Sequence, residues 1–177
     1  MTRLNKEEWL DHGLKALAQH GFTALKADTL AKSLGVSRGS FYWHFSNLAA
    51  YHEALLARWR DLTFETAVKE IESASGNIQD RLNVIINMAA DSPLDVDMAM
   101  RMWAKANARV GQAVEEVDQL RLNYLVGIFS DLGLSPQIAV ARARIVYYSF
   151  LGQLLIHEEI TSEERSILIS ELINAVL

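Results

Sequence analysis

Arg38, Gly39, Ser40, Tyr42, Trp43 and His44 crowd one short stretch of the chain. Their types suit contact with a polyanion that carries readable edges. An arginine at the leading end of a helix reaches a guanine edge when that helix enters a major groove N-terminus first. Gly39 lets the backbone come close. Tyr42 and His44 carry donors for phosphates, which position without specifying. Trp43 offers a flat face to a thymine methyl or a sugar. Other chemistries lack their parts. With no cysteine there is no disulfide framework, thiolate metal site or cysteine nucleophile. His12 and His20, like His44 and His52, lack metal-ligand spacing. His157 beside Glu158 and Glu159 reads as a surface cluster. No glycine-rich phosphate loop and no Ser/His/Asp set is present. The expectation is no enzyme, no metal and no cofactor.

Such residues work only if short helices hold them outward. Residues 28–45 read as a helix-turn-helix. Leu30, Ala31 and Leu34 point inward, and Ala31 is small where two helices cross. Gly35 ends the first helix in a conformation that suits glycine. Val36 plugs the turn and Ser37 caps the second helix. Phe41 and Phe45, one turn apart, face a preceding helix over about 5–20 that buries Trp9, Leu10, Gly13, Leu14 and Leu17. Asn5 is its cap and Gly21 its stop. Apolar periodicity stays helical beyond. A long helix runs from near Asn47 to about Ser73, carrying Leu55, Leu56, Trp59 and Leu62, and a turn around Gly76 follows. Helices are then expected over 78–90, to about 108, to about 132 and to about 158, with breaks at Ser92-Pro93 and at Gly133 to Pro136. A last helix is capped by Thr161 or Ser162. The fold class is all-α, about nine helices, with a three-helix head over 1–47 and a helical bundle over 48–177.

The chain has 177 residues, half of them hydrophobic, with 9 Gly and 2 Pro, enough for a sizeable core. Its net charge of −5 is unevenly spread. Residues 1–60 hold eight Lys and Arg against five acids, and the remainder nine against seventeen. A basic head that approaches a polyanion and an acidic body that does not fit this division. No apolar run reaches membrane-spanning length and no secretory signal precedes the first helix, so a cytoplasmic location is expected.

The segments Gly21-Phe22-Thr23-Ala24 and Leu30 through Phe45, with the core Gly35-Val36-Ser37-Arg38-Gly39-Ser40-Phe41-Tyr42-Trp43-His44-Phe45, resemble the DNA-binding domain of the TetR family of transcriptional regulators. The resemblance covers about residues 5–60. It implies DNA contact from Ser37, Arg38, Gly39, Ser40, Tyr42, Trp43 and His44. It also implies a C-terminal body that binds a small molecule and dimerises through its last two long helices. Lys26 stands where many members have Ser or Thr, and reaches a phosphate as a flexible point charge; Thr29 joins it as a DNA-contact residue. Leu48 replaces a common lysine, removing one phosphate anchor and lowering the salt slope by about 0.9 per half-site.

In the body, Met98, Met102, Trp103 and Asn107, with Tyr124 and Tyr147, have the mixed apolar and polar character of a small-ligand pocket. Arg109 stands close by in sequence. The stretch Ile145–Ile156 is apolar nearly all round and so needs cover on two sides. A homodimer face is expected from Ile145, Tyr148, Ser149 and Gly152, with Ile169, Leu172, Ile173 and Val176. The resulting expectation is a dimeric, ligand-responsive repressor on a palindromic DNA operator, without a membrane partner. A small-ligand-binding or protein-interaction module whose head does not read DNA is the alternative.

Overall fold

The computed structural model of the chain describes residues 4–73, 76–91, 94–156 and 160–177. Helices account for its regular structure, and the described residues contain no strand. In order these are α1 (Lys6–His20), a 3-10 turn (Phe22–Ala24), α2 (Ala27–Ser33), α3 (Arg38–His44) and α4 (Leu48–Arg60). A π-helical stretch (Asp61–Glu65) leads into α5 (Thr66–Ser73). There follow α6 (Ile78–Asp91), α7 (Leu94–Ala104), α8 (Ala108–Asp131), α9 (Pro136–Leu155) and α10 (Ser162–Val176). The long helix expected over 47–73 corresponds to α4, the π stretch and α5, so the expected nine helices are matched when these count as one. Residues 74 and 75 of the expected turn, the Ser92-Pro93 break and the His157–Glu159 cluster lie outside the described residues.

Local chemistry explains most boundaries. Asn5 closes a capping box on α1: its side chain accepts from Glu8 N at 2.8 Å, and Glu8 accepts from Asn5 N at 2.7 Å. Thr161 and Glu164 do the same for α10. Such caps contribute about 1 kcal/mol each. Pro136 occupies the first turn of α9, where its missing donor costs nothing.

Two compact units form. The first comprises residues up to Thr63 together with Asp95–Glu115. Its core is built on Trp9, Leu17, Leu30, Phe41, Tyr51, Leu55, Trp59 and Met100, each under 2 % exposed. Trp59 donates its indole N–H to the buried Asp97 carboxylate at 3.0 Å, tying α4 to α7. Trp103 is buried edge-on to the His52 ring, 5.0 Å away, and Arg109 reaches Glu53 at 2.9 Å. Residues 95–115, which the sequence assigned to a body, thus complete a wall of the unit that holds the head.

The second unit comprises Phe64–Leu94 and Glu116–Leu177. Leu82, Ile86, Leu125, Phe129, Ala139, Ala143, Val146, Tyr147 and Val176 form its core. Ala139 and Ala143, one turn apart and fully buried, give α9 a small-residue face for close packing. Arg142 donates to the carbonyls of Val176 and Leu177 at 2.7 and 2.8 Å, satisfying the end of α10 as a C-terminal cation does.

Candidate nucleic-acid interface

The turn between α2 and α3 is set by backbone bonds. Val36 N–H donates to Ala31 O at 3.0 Å and Gly35 N–H to Lys32 O at 3.2 Å, the paired arrangement of a Schellman motif. Gly35 sits at φ +67°, where a side chain would be strained. Ser37 occupies the cap position of α3, but its side chain makes no capping bond. The Ser37 carbonyl instead accepts from Ser40 N at 3.0 Å.

The inner face of α3 is locked by rings. Phe41 lies 5.5 Å from Trp9, 5.2 Å from Phe45 and 5.2 Å from Tyr51, centre to centre. Tyr51 was not singled out in the sequence, yet it is fully buried, and its phenol is pushed upward by burial. It fits because residue 13 is glycine: a Cβ there would collide with the Tyr51 hydroxyl. Arg58 clamps the other side of α4 to α1, donating from Nε and Nη2 to the two oxygens of Asp11 at 2.8 and 3.2 Å, a fork-to-fork geometry.

The outer face is exposed to solvent. Tyr42 is 45 % and Trp43 70 % exposed. Ser37, Arg38 and Gly39 are exposed, and Ser40 is half-buried. Lys26, at the cap position of α2, and Thr29 are exposed. Arg38 is engaged within the head: Nη2 donates to the Tyr42 hydroxyl at 3.2 Å, and Nε lies 3.3 Å from Asp28 Oδ1. His44 differs from its neighbours. It is half-buried, and its Nε2 sits 2.8 Å from the Leu4 carbonyl, so one ring nitrogen ties α3 to the segment before α1. Leu48 begins α4 half-buried, and Asn47 caps that helix through Ala50 N at 2.8 Å.

Burial also lowers the basicity of two histidines. His52 is held below its ordinary value of 6.5 by desolvation, against smaller opposing effects of the Leu25 carbonyl and Glu53. His12, bonded to the Ser33 hydroxyl at 2.7 Å, is lowered by burial and then by Lys15. The unfolded chain therefore takes up these protons first on acidification. The stability involved is complete above about pH 6.5 and drains away as pH falls through the lowered folded values. The thermal midpoint is expected to fall between pH 7.5 and 5.5, and His52→Gln, which keeps a donor for Leu25, is expected to flatten that fall. An equally steep fall in the variant would remove His52 from the account.

The residues proposed for a pocket divide. Met98, Met102, Trp103 and Asn107 belong to the first unit, Tyr124 and Tyr147 to the second. Met102 is 60 % exposed and Trp103 is buried. Asn107 is a helix cap, accepting from Arg109 N and Val110 N at 3.0 and 3.2 Å. Tyr147 donates to Asp118 at 2.6 Å. Tyr124 is half-buried, edge-on to Phe64. Of the residues expected at a dimer face, Ile145, Tyr148 and Ser149 are exposed and Gly152 is half-buried. Ile169, Leu172 and Ile173 pack on their own core, and Val176 is fully enclosed in it, so Val176 leaves that set. The large exposed apolar residues of α10 are Ile167 and Leu168, which periodicity alone did not separate from the inward row.

Among the described residues no helix is long and apolar enough to cross a membrane, and no group of three potential ligands gathers for a metal ion. Residues 10–50 match the family described as bacterial regulatory proteins, tetR family. The class D tetracycline repressor protein of Escherichia coli is 35% identical over 77 residues, 41% of this chain; the match spans about a third, 35%, of the repressor's own length. The fold is shared end to end with solved structures. A TetR transcriptional regulator from Legionella pneumophila superposes with a TM-score of 0.73 at 14% identity, covering 100% of both chains. The reduced form of Escherichia coli NemR gives 0.71 at 18% identity, covering 97% of this chain and 94% of that one.

Proposed function

Starting from a head of the TetR family and a fold shared with TetR regulators, we propose that this chain is a sequence-specific DNA-binding transcriptional regulator. It acts as a homodimer on a palindromic operator and responds to a small-molecule effector, as a repressor. The observation that carries the reading is the two-faced α3. Phe41 and Phe45 are locked inward, while Arg38, Tyr42 and Trp43 stand outward on a helix that packing holds rigid. A large exposed indole and phenol side by side on so short a helix form the kind of surface that meets another macromolecule. The neighbouring cations Lys26, Lys32 and Arg38 favour a polyanionic one.

In this proposal α3 lies in the major groove. Arg38 reads a base edge, Gly39 and Ser37 allow backbone approach, and Ser40, Tyr42, Lys26 and Thr29 hold phosphates. Trp43 packs on a sugar or methyl group. His44 serves mainly as the tether to Leu4 described above. Two copies associate through the exposed apolar residues of α9 and α10, among them Ile145, Tyr148, Ile167 and Leu168. The heads then meet successive major grooves about 34–36 Å apart or a multiple of that distance. An effector held in the body, with Tyr124 as a lining residue, shifts the population toward a spacing the operator does not accept.

Selection from random duplex DNA, followed by titration against salt, tests the reading. A palindromic consensus is expected, with a steep salt dependence. Arg38→Ala is expected to weaken operator binding about 5- to 150-fold, the range for losing one good base contact. No enriched sequence, with weak binding at physiological salt, would overturn it and leave the outer face of α3 as a protein-docking surface. Sedimentation as a monomer at micromolar concentration would remove the dimer.

A further inference from the structure

We infer that Asp28 is a specificity-determining residue: with the Tyr42 hydroxyl it aims the Arg38 guanidinium at a guanine edge and keeps it off the phosphate backbone. The inference rests on the proposed reading of duplex DNA by α3.

An exposed arginine has many rotamers, and a DNA surface offers it far more phosphates than correct bases. Base reading therefore needs something that fixes the guanidinium and something that disfavours phosphate. Both are in place here. Arg38 opens α3, and three contacts converge on its guanidinium from two helices. Asp28 Oδ1 of α2 lies 3.3 Å from Nε, and the Tyr42 hydroxyl accepts from Nη2 at 3.2 Å. The Tyr42 ring centre lies 5.4 Å from Cζ. Asp28 pairs electrostatically with the Nε side of the guanidinium and one Nη2 proton is given to Tyr42, so the end that carries Nη1 and the second Nη2 proton is left for a partner. That end-on fork matches the paired acceptors N7 and O6 of guanine.

Asp28 has no evident structural need to be there. The pair is exposed on both sides, 61% and 69%, and such pairs contribute little to stability. Near the start of α2 an acid suits the helix dipole, but among the described residues its carboxylate pairs with Arg38 alone. An acid on a face that meets a polyanion weakens binding unless it returns something. Beside Nε it repels a phosphate that approaches the same guanidinium, whereas a neutral guanine edge carries no such penalty. Selectivity then comes partly from rejecting the wrong contact.

The test uses the full chain and the operator obtained by selection. The position read by Arg38 is the one whose preference disappears in Arg38→Ala. Affinities for the four bases at that position, and for random duplex, are compared in wild type, Asp28→Asn and Tyr42→Phe. Asp28→Asn is expected to cut the guanine preference at that position about tenfold, to leave other positions unchanged and to raise affinity for random duplex. Tyr42→Phe, which keeps the ring, is expected to reduce the same preference. Unchanged helical circular dichroism confirms folding. Guanine preference retained in Asp28→Asn, or preference lost equally at every position, would overturn the inference while leaving the regulator reading intact. No enrichment by wild type would overturn both.

Discussion

Phe41→Ala is expected to lower the stability of the first unit by about 3–5 kcal/mol, the usual cost of deleting a buried phenyl ring. The ring is wholly enclosed, with Trp9, Tyr42, Phe45 and Tyr51 each within 5.5 Å of its centre. These partners come from α1, α3, the residue that follows α3, and α4, so the void cannot close by shifting one side chain. Against a typical total stability of about 5–15 kcal/mol, such a loss leaves a large unfolded fraction at modest denaturant. Chemical denaturation read by tryptophan fluorescence measures it, since Trp9 and Trp59 sit in the same core. Under the proposed function, operator affinity should fall with the folded fraction, and Phe41→Leu should lose much less. A change below about 1 kcal/mol for alanine would show that this cluster does not anchor α3.

Gly13→Ala reverses the sign that helix propensity alone assigns. In an exposed helix interior the change gains close to 1 kcal/mol. Here the new methyl meets the Tyr51 hydroxyl, with Cζ of the same ring at 3.1 Å and a Leu55 methyl at 3.2 Å. Overpacking of this kind costs about 1–3 kcal/mol. Tyr51→Phe removes the first obstacle and gives up one long hydrogen bond, 3.4 Å to the Trp9 carbonyl. The double variant is therefore expected to recover much of the loss, a coupling of about 0.5–3 kcal/mol in a double-mutant cycle. Additive costs would mean that α1 and α4 do not meet through this pair.

The helices were legible because their signals are local. Asn5 with Glu8, Thr161 with Glu164, Gly35 and Pro136 each act within a few residues of themselves. The inner face of α3 was legible for the same reason, since Phe41 and Phe45 repeat at one turn. Less of the rest could be read, because its partners are far apart in sequence. Tyr51 reads as an ordinary helical aromatic until Gly13 is placed opposite it. His44 reads as a donor for phosphate, and nothing local announces the Leu4 carbonyl that lies beside its Nε2. Asp97 and Trp103 carry no periodicity that sends them to Trp59 and His52. Asn107 resembles a ligand group, yet its oxygen is spent on the first turn of α8. Val176 and Ile167 both suit an apolar helix face, and only packing decides which one is enclosed.

The first unit is not contiguous in the chain, and this matters during synthesis. A ribosome delivers α1 to α4 first, and the segment that begins at Asp95 arrives a few seconds later at about 5–20 residues per second. Throughout that interval the indole N–H of Trp59 lacks its carboxylate and His52 lacks its tryptophan wall. The newborn head thus waits, with apolar surface uncovered, for a part of itself not yet made. A message truncated shortly after Thr63 would yield a sticky fragment, a natural client for chaperones, rather than a miniature DNA reader.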